Sequence, residues 1–148
     1  MSELLANYTS LRVGGPANKF VRVSSESELV EAIKAADSAG DEVLIMGGGS
    51  NVLISDAGFS GTVIHVETKG NTFAIDACSG GMISVASGEN WDEFVAFMIE
   101  KGFAGLESMS GIPGSVGATP IQNIGAYGHE ISEAVSYTHL TLPTNREV

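Results

Sequence analysis

Gly111-Ile-Pro-Gly-Ser-Val-Gly-Ala-Thr-Pro-Ile-Gln-Asn-Ile-Gly-Ala-Tyr-Gly128 holds five glycines and two prolines in eighteen residues, and no charged side chain. A solvated loop would carry more charge, and a core helix would not tolerate so much glycine and proline. Two readings fit the segment taken alone. One is backbone shaped to lie against a ligand, with amide N–H groups and the polar atoms of Ser115, Thr119, Gln122 and Asn123 available to it. The other is a tight structural loop packed in the core.

A second glycine cluster lies upstream. Glu42-Val-Leu-Ile-Met46 is a short apolar run suited to a buried strand, and Gly47-Gly-Gly-Ser-Asn51 follows it directly. Successive glycines can turn the chain so that several N–H groups converge into a concave anion site. No Gly-Lys-Ser/Thr follows, so this is not a Walker loop, and Val52 stands where a dinucleotide fingerprint would carry its third glycine. Val52-Leu53-Ile54 reads as strand. By itself the cluster fits an ordinary hairpin or loop better than a phosphate site.

In fixed order the chain also contains Gly88-Glu-Asn-Trp91, Gly105-Leu-Glu107, Ile112-Pro-Gly114 and Pro120-Ile-Gln-Asn-Ile-Gly-Ala-Tyr-Gly128. With Gly47-Gly-Gly-Ser-Asn-Val-Leu53 these resemble the FAD-binding part of the UDP-N-acetylenolpyruvoylglucosamine reductase (MurB) family of peptidoglycan synthesis. Tyr8-Thr-Ser-Leu-Arg-Val-Gly-Gly-Pro-Ala17 resembles that family's opening segment. The resemblance covers residues 4–134, and the run at 120–128 is specific to the family.

The resemblance implies an α+β fold of the PCMH/vanillyl-alcohol-oxidase FAD-binding type. A small βαβ subdomain with a further strand is expected over residues 1–68, and a partial second α+β subdomain with an antiparallel sheet over 69–134. Gly47, Gly48, Gly49, Ser50 and Asn51 look like the family's pyrophosphate loop. Pro113, Gly114, Ser115, Gly117, Ala118, Thr119 and Ile121 look like the wall along adenosine and pyrophosphate. Gly125, Ala126 and Tyr127 look like a stretch near the flavin ring. The family often has two serines where this chain has Ala118-Thr119, so only a backbone contact is expected at Ala118. Relatives that attach the flavin use a histidine or cysteine beside the glycine turn. Ser50 and Asn51 stand there instead, which implies non-covalent FAD.

For the whole enzyme the resemblance implies hydride transfer from NADPH to FAD and on to UDP-N-acetylglucosamine enolpyruvate, a nucleotide sugar. A carbanion-like centre then needs a proton donor and cationic stabilisation. The family's serine, glutamate and arginine for these roles lie downstream of the resembling region, so no catalytic residue is assigned. Val135-Ser-Tyr-Thr-His-Leu-Thr-Leu-Pro-Thr-Asn-Arg-Glu-Val148 departs from the family pattern and resembles a translated sequencing adapter. Residues 135–148 are therefore expected to be non-native, although their alternation would also suit a strand. The expectation is a truncated FAD-dependent UDP-N-acetylmuramate dehydrogenase, inactive as a fragment. A stand-alone FAD-binding module, an oxidase of the same fold and a non-functional fragment are the alternatives.

Composition agrees with a globular domain: 148 residues, 43% hydrophobic, can bury a core of ordinary size. No apolar run reaches the roughly 18 residues of a membrane span. The net charge is −11 and the basic residues are scattered singly, which argues against a nucleic-acid partner. Cys78 is the single cysteine, so no internal disulfide can form and a cytoplasmic setting is expected. The histidines have neither metal-site nor nucleophile–base spacing.

Strand and helix alternate along the first half. Phe20-Val-Arg-Val23 reads as strand, Ser25 and Glu28 have capping-box spacing, and Leu29, Val30, Ile33 and Ala36 form a helical stripe. Gly40 closes that helix, and Gly61-Thr-Val-Ile-His-Val66 is a further strand. Beyond Lys69-Gly70, residues 72–76 and 82–87 read as an antiparallel pair joined by Cys78-Ser-Gly-Gly81. Asn90 caps a helix over 91–101 with Trp91, Phe94, Val95 and Met98 on its core face, and Asp92 and Glu93 as a solvated face.

Overall fold

Ala17–Val23 (β1), Val43–Met46 (β2) and Phe59–Val66 (β3) form a parallel sheet of order β1-β3-β2, in a computed structural model that describes residues 3–76 and 80–135. Glu26–Ala39 (α1) is the crossover between β1 and β2. Its start is set by Ser25, whose hydroxyl accepts from Glu28 N. The Glu28 carboxylate reaches one residue further than a capping box would take it, accepting from Ser24 N at 2.7 Å and Ser24 Oγ at 2.9 Å. Gly40 ends the helix in the left-handed region, as expected.

The central strand is buried on both faces. Ile64 and Val66 pack with Val23 and Leu29 under α1, while Val63 packs with Leu5, Ala17 and Met46 on the opposite face. Full burial of such side chains contributes about 1.5–3 kcal/mol each. Two expectations fail here. The run at 43–46 is an edge strand rather than a buried one: α1 rests on β1 and β3, leaving Ile45 56% exposed. Residues 52–54 are not strand, since they pair with no strand among the described residues and Leu53 stands 79% exposed.

The second half is antiparallel. Asn71–Asp76 (β4) pairs with Gly80–Val85 (β5). Gly80 and Gly81 belong to the ladder and not to the turn, and Cys78 lies outside the described residues. Trp91–Glu100 (α2) is capped by Asn90, whose side chain accepts from Glu93 N at 3.0 Å. Trp91 and Val95 pack with Met109 and Ile131, and Phe73 of β4 meets Phe97 and Phe103. The glycine-rich run at 111–128 contains a short helix that its composition does not announce, Ala118–Gln122 (α3). Pro120 is tolerated because a first-turn residue needs no N–H donor. Gly125–Ala126 (β6) and His129–Glu130 (β7) close a small hairpin. The architecture is α+β, a helix-connected parallel sheet followed by antiparallel ribbons. No helix among the described residues is long and apolar enough to cross a membrane.

Candidate functional site

The first wall of the site grows out of β2. Met46 is buried at the end of the strand, and the chain then turns through Gly47, Gly48 and Gly49. Neighbouring atoms crowd this turn, backbone at Gly48 and Gly49 and a side chain at Gly47. A Cβ on Gly49, where φ is +63°, would lie 1.9 Å from Tyr8 O. One on Gly47 would lie 2.2 Å from Ser115 Oγ, and one on Gly48 would lie 3.1 Å from Gly114 Cα. The turn is therefore clamped between the N-terminal segment and the second glycine-rich run. Ser10 N donates to Gly49 O at 3.0 Å on one side. On the other, the Ser50 hydroxyl donates to Pro113 O at 3.0 Å, and the Asn51 side-chain amide donates to Gln122 Oε1.

The second wall is held by the first turn of α2. Trp91 N donates to Gly114 O at 3.1 Å, and the buried Trp91 Nε1 donates to Met109 O at 2.9 Å. Val116 N and Gly117 N each donate at 2.9 Å, to Glu89 O and Ser87 O. A Cβ on Gly117 would lie 2.4 Å from Ser87 Cβ, so this approach also needs glycine. Asp92 is exposed, as expected of a solvated face, but it also ties down a loop. Its carboxylate accepts from Ser110 Oγ and from Gly111 N, both at 2.7 Å. The Ser110 hydroxyl first, and then the Gly111 amide, hold that carboxyl below its usual range.

Where the two walls meet, donors without acceptors converge. Among the described residues the backbone N–H groups of Gly47, Gly48, Gly49, Ser50 and Asn51 have no acceptor in the chain, and neither do those of Gly114 and Ser115. Acceptor-free amides on two backbones that approach this closely suit anionic oxygens, above all in a chain whose net charge of −11 would repel them elsewhere. The site thus fits a diphosphate. Among the described residues no group of His, Cys, Asp and Glu could hold a metal ion.

The remaining expected residues divide. Thr119 is 4% exposed and donates its hydroxyl to Val116 O at 2.8 Å, so its side chain faces the chain itself. Ala118 and Ile121 share α3 with it, and Ile121 is 82% exposed. Gly125 and Ala126 lie beside the Glu107–Met109 turn, with no hydrogen bond to the glycine turn. Tyr127 is 92% exposed at the hairpin tip, where it and Gly128 both have positive φ. A polar groove of about 290 Å³ opens beside Gly48, with Tyr8, Ser10, Arg12 and His65 in its lining. Sequence reasoning read Asp92 only as a solvated face and gave Ser110 and Arg12 no role in the site. Their partners are set by a loop returning to α2 and by the N-terminal turn, which no local pattern encodes.

Comparison with known proteins agrees with this geometry. The FAD binding domain family matches residues 17–146. The UDP-N-acetylenolpyruvoylglucosamine reductases of Cutibacterium acnes and Thermobifida fusca are each 47% identical to this chain, over 89% and 88% of its length. Those alignments take in 35% and 37% of the two relatives, so the chain spans about a third of the length of the curated relatives it matches. The crystal structure of UDP-N-acetylenolpyruvylglucosamine reductase (MurB) from Thermus caldophilus superposes with a TM-score of 0.70 at 29% identity, covering 89% of this chain and 45% of that one. The parallel β1-β3-β2 sheet with its helix, followed by small antiparallel sheets, is the PCMH-type FAD-binding fold. The chain belongs to the FAD-binding domain family, as a homologue of the FAD-binding part of the MurB reductases.

Proposed function

We propose that the cradle between residues 47–51 and 113–119 binds FAD non-covalently, as the cofactor-binding part of an NADPH-dependent UDP-N-acetylmuramate dehydrogenase. The convergence of acceptor-free amides at Gly47–Asn51 and Gly114–Ser115 supports this reading. Those backbones would hold the diphosphate. Pro113, Gly117, Ala118, Thr119 and Ile121 would line the adenosine side, through backbone at Thr119 because its hydroxyl is committed to Val116 O. Gly125, Ala126 and the accessible Tyr127 would lie toward the flavin ring. Bound FAD supplies a hydride relay from NADPH to the enolpyruvyl group of a nucleotide sugar. This chain's residues bind and orient; no residue among 3–135 is assigned to proton transfer.

Cytoplasmic location and the absence of nucleic-acid or membrane partners belong to the same proposal. So does division into a first subdomain over 1–68 and a partial second over 69–134. Titration of FAD into the 148-residue chain, followed by flavin fluorescence, tests it. Expected are one FAD per chain, release of all flavin on acid denaturation, and no NADPH oxidation. Failure to bind FAD, or flavin that stays attached after denaturation, rejects the reading. A chain that binds FAD and also oxidises NADPH rejects only the inactivity of this fragment.

A further inference from the structure

We propose that Asp92 is a positioning residue for the cofactor cradle: its carboxylate splints Ser110 and Gly111 to the first turn of α2 and so keeps Gly114 and Ser115 in register with the glycine turn. The proposal rests on the reading of the cradle as an FAD site.

The segment from Met109 to Ser115 is soft by composition. Gly111 and Gly114 both sit at positive φ, +78° and +135°, which glycine adopts without strain but does not prefer over other conformations. Its two ends are tied to one residue, Met109 O by Trp91 Nε1 and Gly114 O by Trp91 N. Between them, two short bonds run to a single carboxylate oxygen, Asp92 Oδ1. Ionised acceptors make the stronger hydrogen bonds, and one oxygen that takes both fixes the Ser110 side chain and the Gly111 backbone relative to each other. Ser50 is the tie from the far side, through Pro113 O, so the first wall inherits any shift of this loop. A binding site loses affinity when its donors move by a fraction of an ångström, which makes the splint matter to the ligand although Asp92 does not touch it.

Asp92→Ala, Asp92→Asn, Ser110→Ala, the Asp92→Ala/Ser110→Ala pair and the neighbouring Glu93→Ala test the proposal by FAD titration and by amide hydrogen exchange. Asp92→Ala is expected to weaken FAD binding on the order of tenfold and Ser110→Ala less. The pair should cost little more than Asp92→Ala alone, because both remove one arrangement. Asp92→Asn keeps an acceptor oxygen and should restore part of the affinity, while Glu93→Ala should leave it unchanged. Exchange at Gly111, Gly114 and Ser115 should speed up in Asp92→Ala, with β3 amides unaffected. FAD affinity that Asp92→Ala leaves within about twofold of wild type overturns the proposal. Faster exchange throughout β3 overturns it too, since the role is then general stability. A wild-type chain that binds no FAD rejects the cofactor reading itself; unaltered exchange at Gly111 in Asp92→Ala rejects the positioning role alone, in the apo protein.

Discussion

The turn at Gly47–Gly49 and the run from Gly111 to Gly117 are both glycine-rich, but they hold their shape by different means. The first leaves the end of a strand whose neighbour, β3, is buried on both faces. Its glycines are fixed by backbone pressing against them, Tyr8 O on one side and Gly114 on the other. The second packs Ile112 and Val116 against Trp91 and Val95 of α2. Trp91, Asp92, Glu89 and Ser87 hold it by hydrogen bonds from around the start of α2. Both walls use both means, but packing weighs most in the first and polar ties in the second, where Ser87 presses on Gly117. Substitution at Gly47 or Gly49 should therefore act through steric displacement, and substitution at Trp91 or Asp92 through lost bonds.

The largest effect is expected at Gly49. Gly49→Ala places a Cβ 1.9 Å from Tyr8 O at φ +63°. Neither the carbonyl nor the turn can yield without opening the N-terminal segment, so a loss on the order of 4 kcal/mol is expected, with FAD binding abolished. Chemical denaturation gives the number, and a loss below about 1 kcal/mol would show that packing does not set this wall. Gly47→Ala is milder, about 1–3 kcal/mol, because its Cβ meets a side-chain atom, Ser115 Oγ at 2.2 Å. Its distinguishing mark is rescue: Gly47→Ala/Ser115→Ala should regain part of the loss, and a purely additive double variant breaks the inferred contact between the walls.

On the polar wall, Trp91→Phe keeps the ring's burial but leaves Met109 O without its indole donor. A cost of about 1–3 kcal/mol is expected, read as a shift in denaturation midpoint at unchanged slope. The smallest effect is acid sensitivity. Hydrogen bonds from Lys19 and then Thr62 lower the Asp41 carboxyl, as Ser110 and Gly111 lower that of Asp92. Folded-state values below the unfolded ones give stability that is present above about pH 4 and is lost as pH falls through the folded values. Thermal midpoints should stay level from neutral pH to about pH 5 and decline below about pH 4. Asp92→Asn should shallow that decline, and an acid limb identical to wild type would remove Asp92 from its cause.

Local pattern was enough for α1 and α2, because an N-cap side chain, a 3.6-residue apolar stripe and a closing glycine all act within a few residues of each other. Short β-rich runs also located β1, β3 and the β4–β5 pair, although β5 begins two residues earlier than expected, at Gly80. Local pattern found the strand at 43–46 but not its exposure, and it misled at residues 52–54. A short apolar run looks alike whether it becomes a buried strand, an edge strand or an exposed loop, and at 43–46 the placement of α1 on β1 and β3 decides. The glycines of the site were legible as glycines. Which of them answer to sterics depended on the approach of Tyr8 and Ser115.

The sequence by itself determined the family, the two glycine-rich segments and the absence of a histidine or cysteine at residues 50–51, because these are properties of residue identity and order. Only the tertiary structure decided that Ser50 meets Pro113 across 63 positions and Asn51 meets Gln122 across 71. It alone turned the Thr119 hydroxyl inward and brought Ser110 and Gly111 onto the exposed Asp92 carboxylate. These outcomes are long-range: a hydrogen bond is a matter of a few tenths of an ångström, and no local pattern carries that distance across a fold.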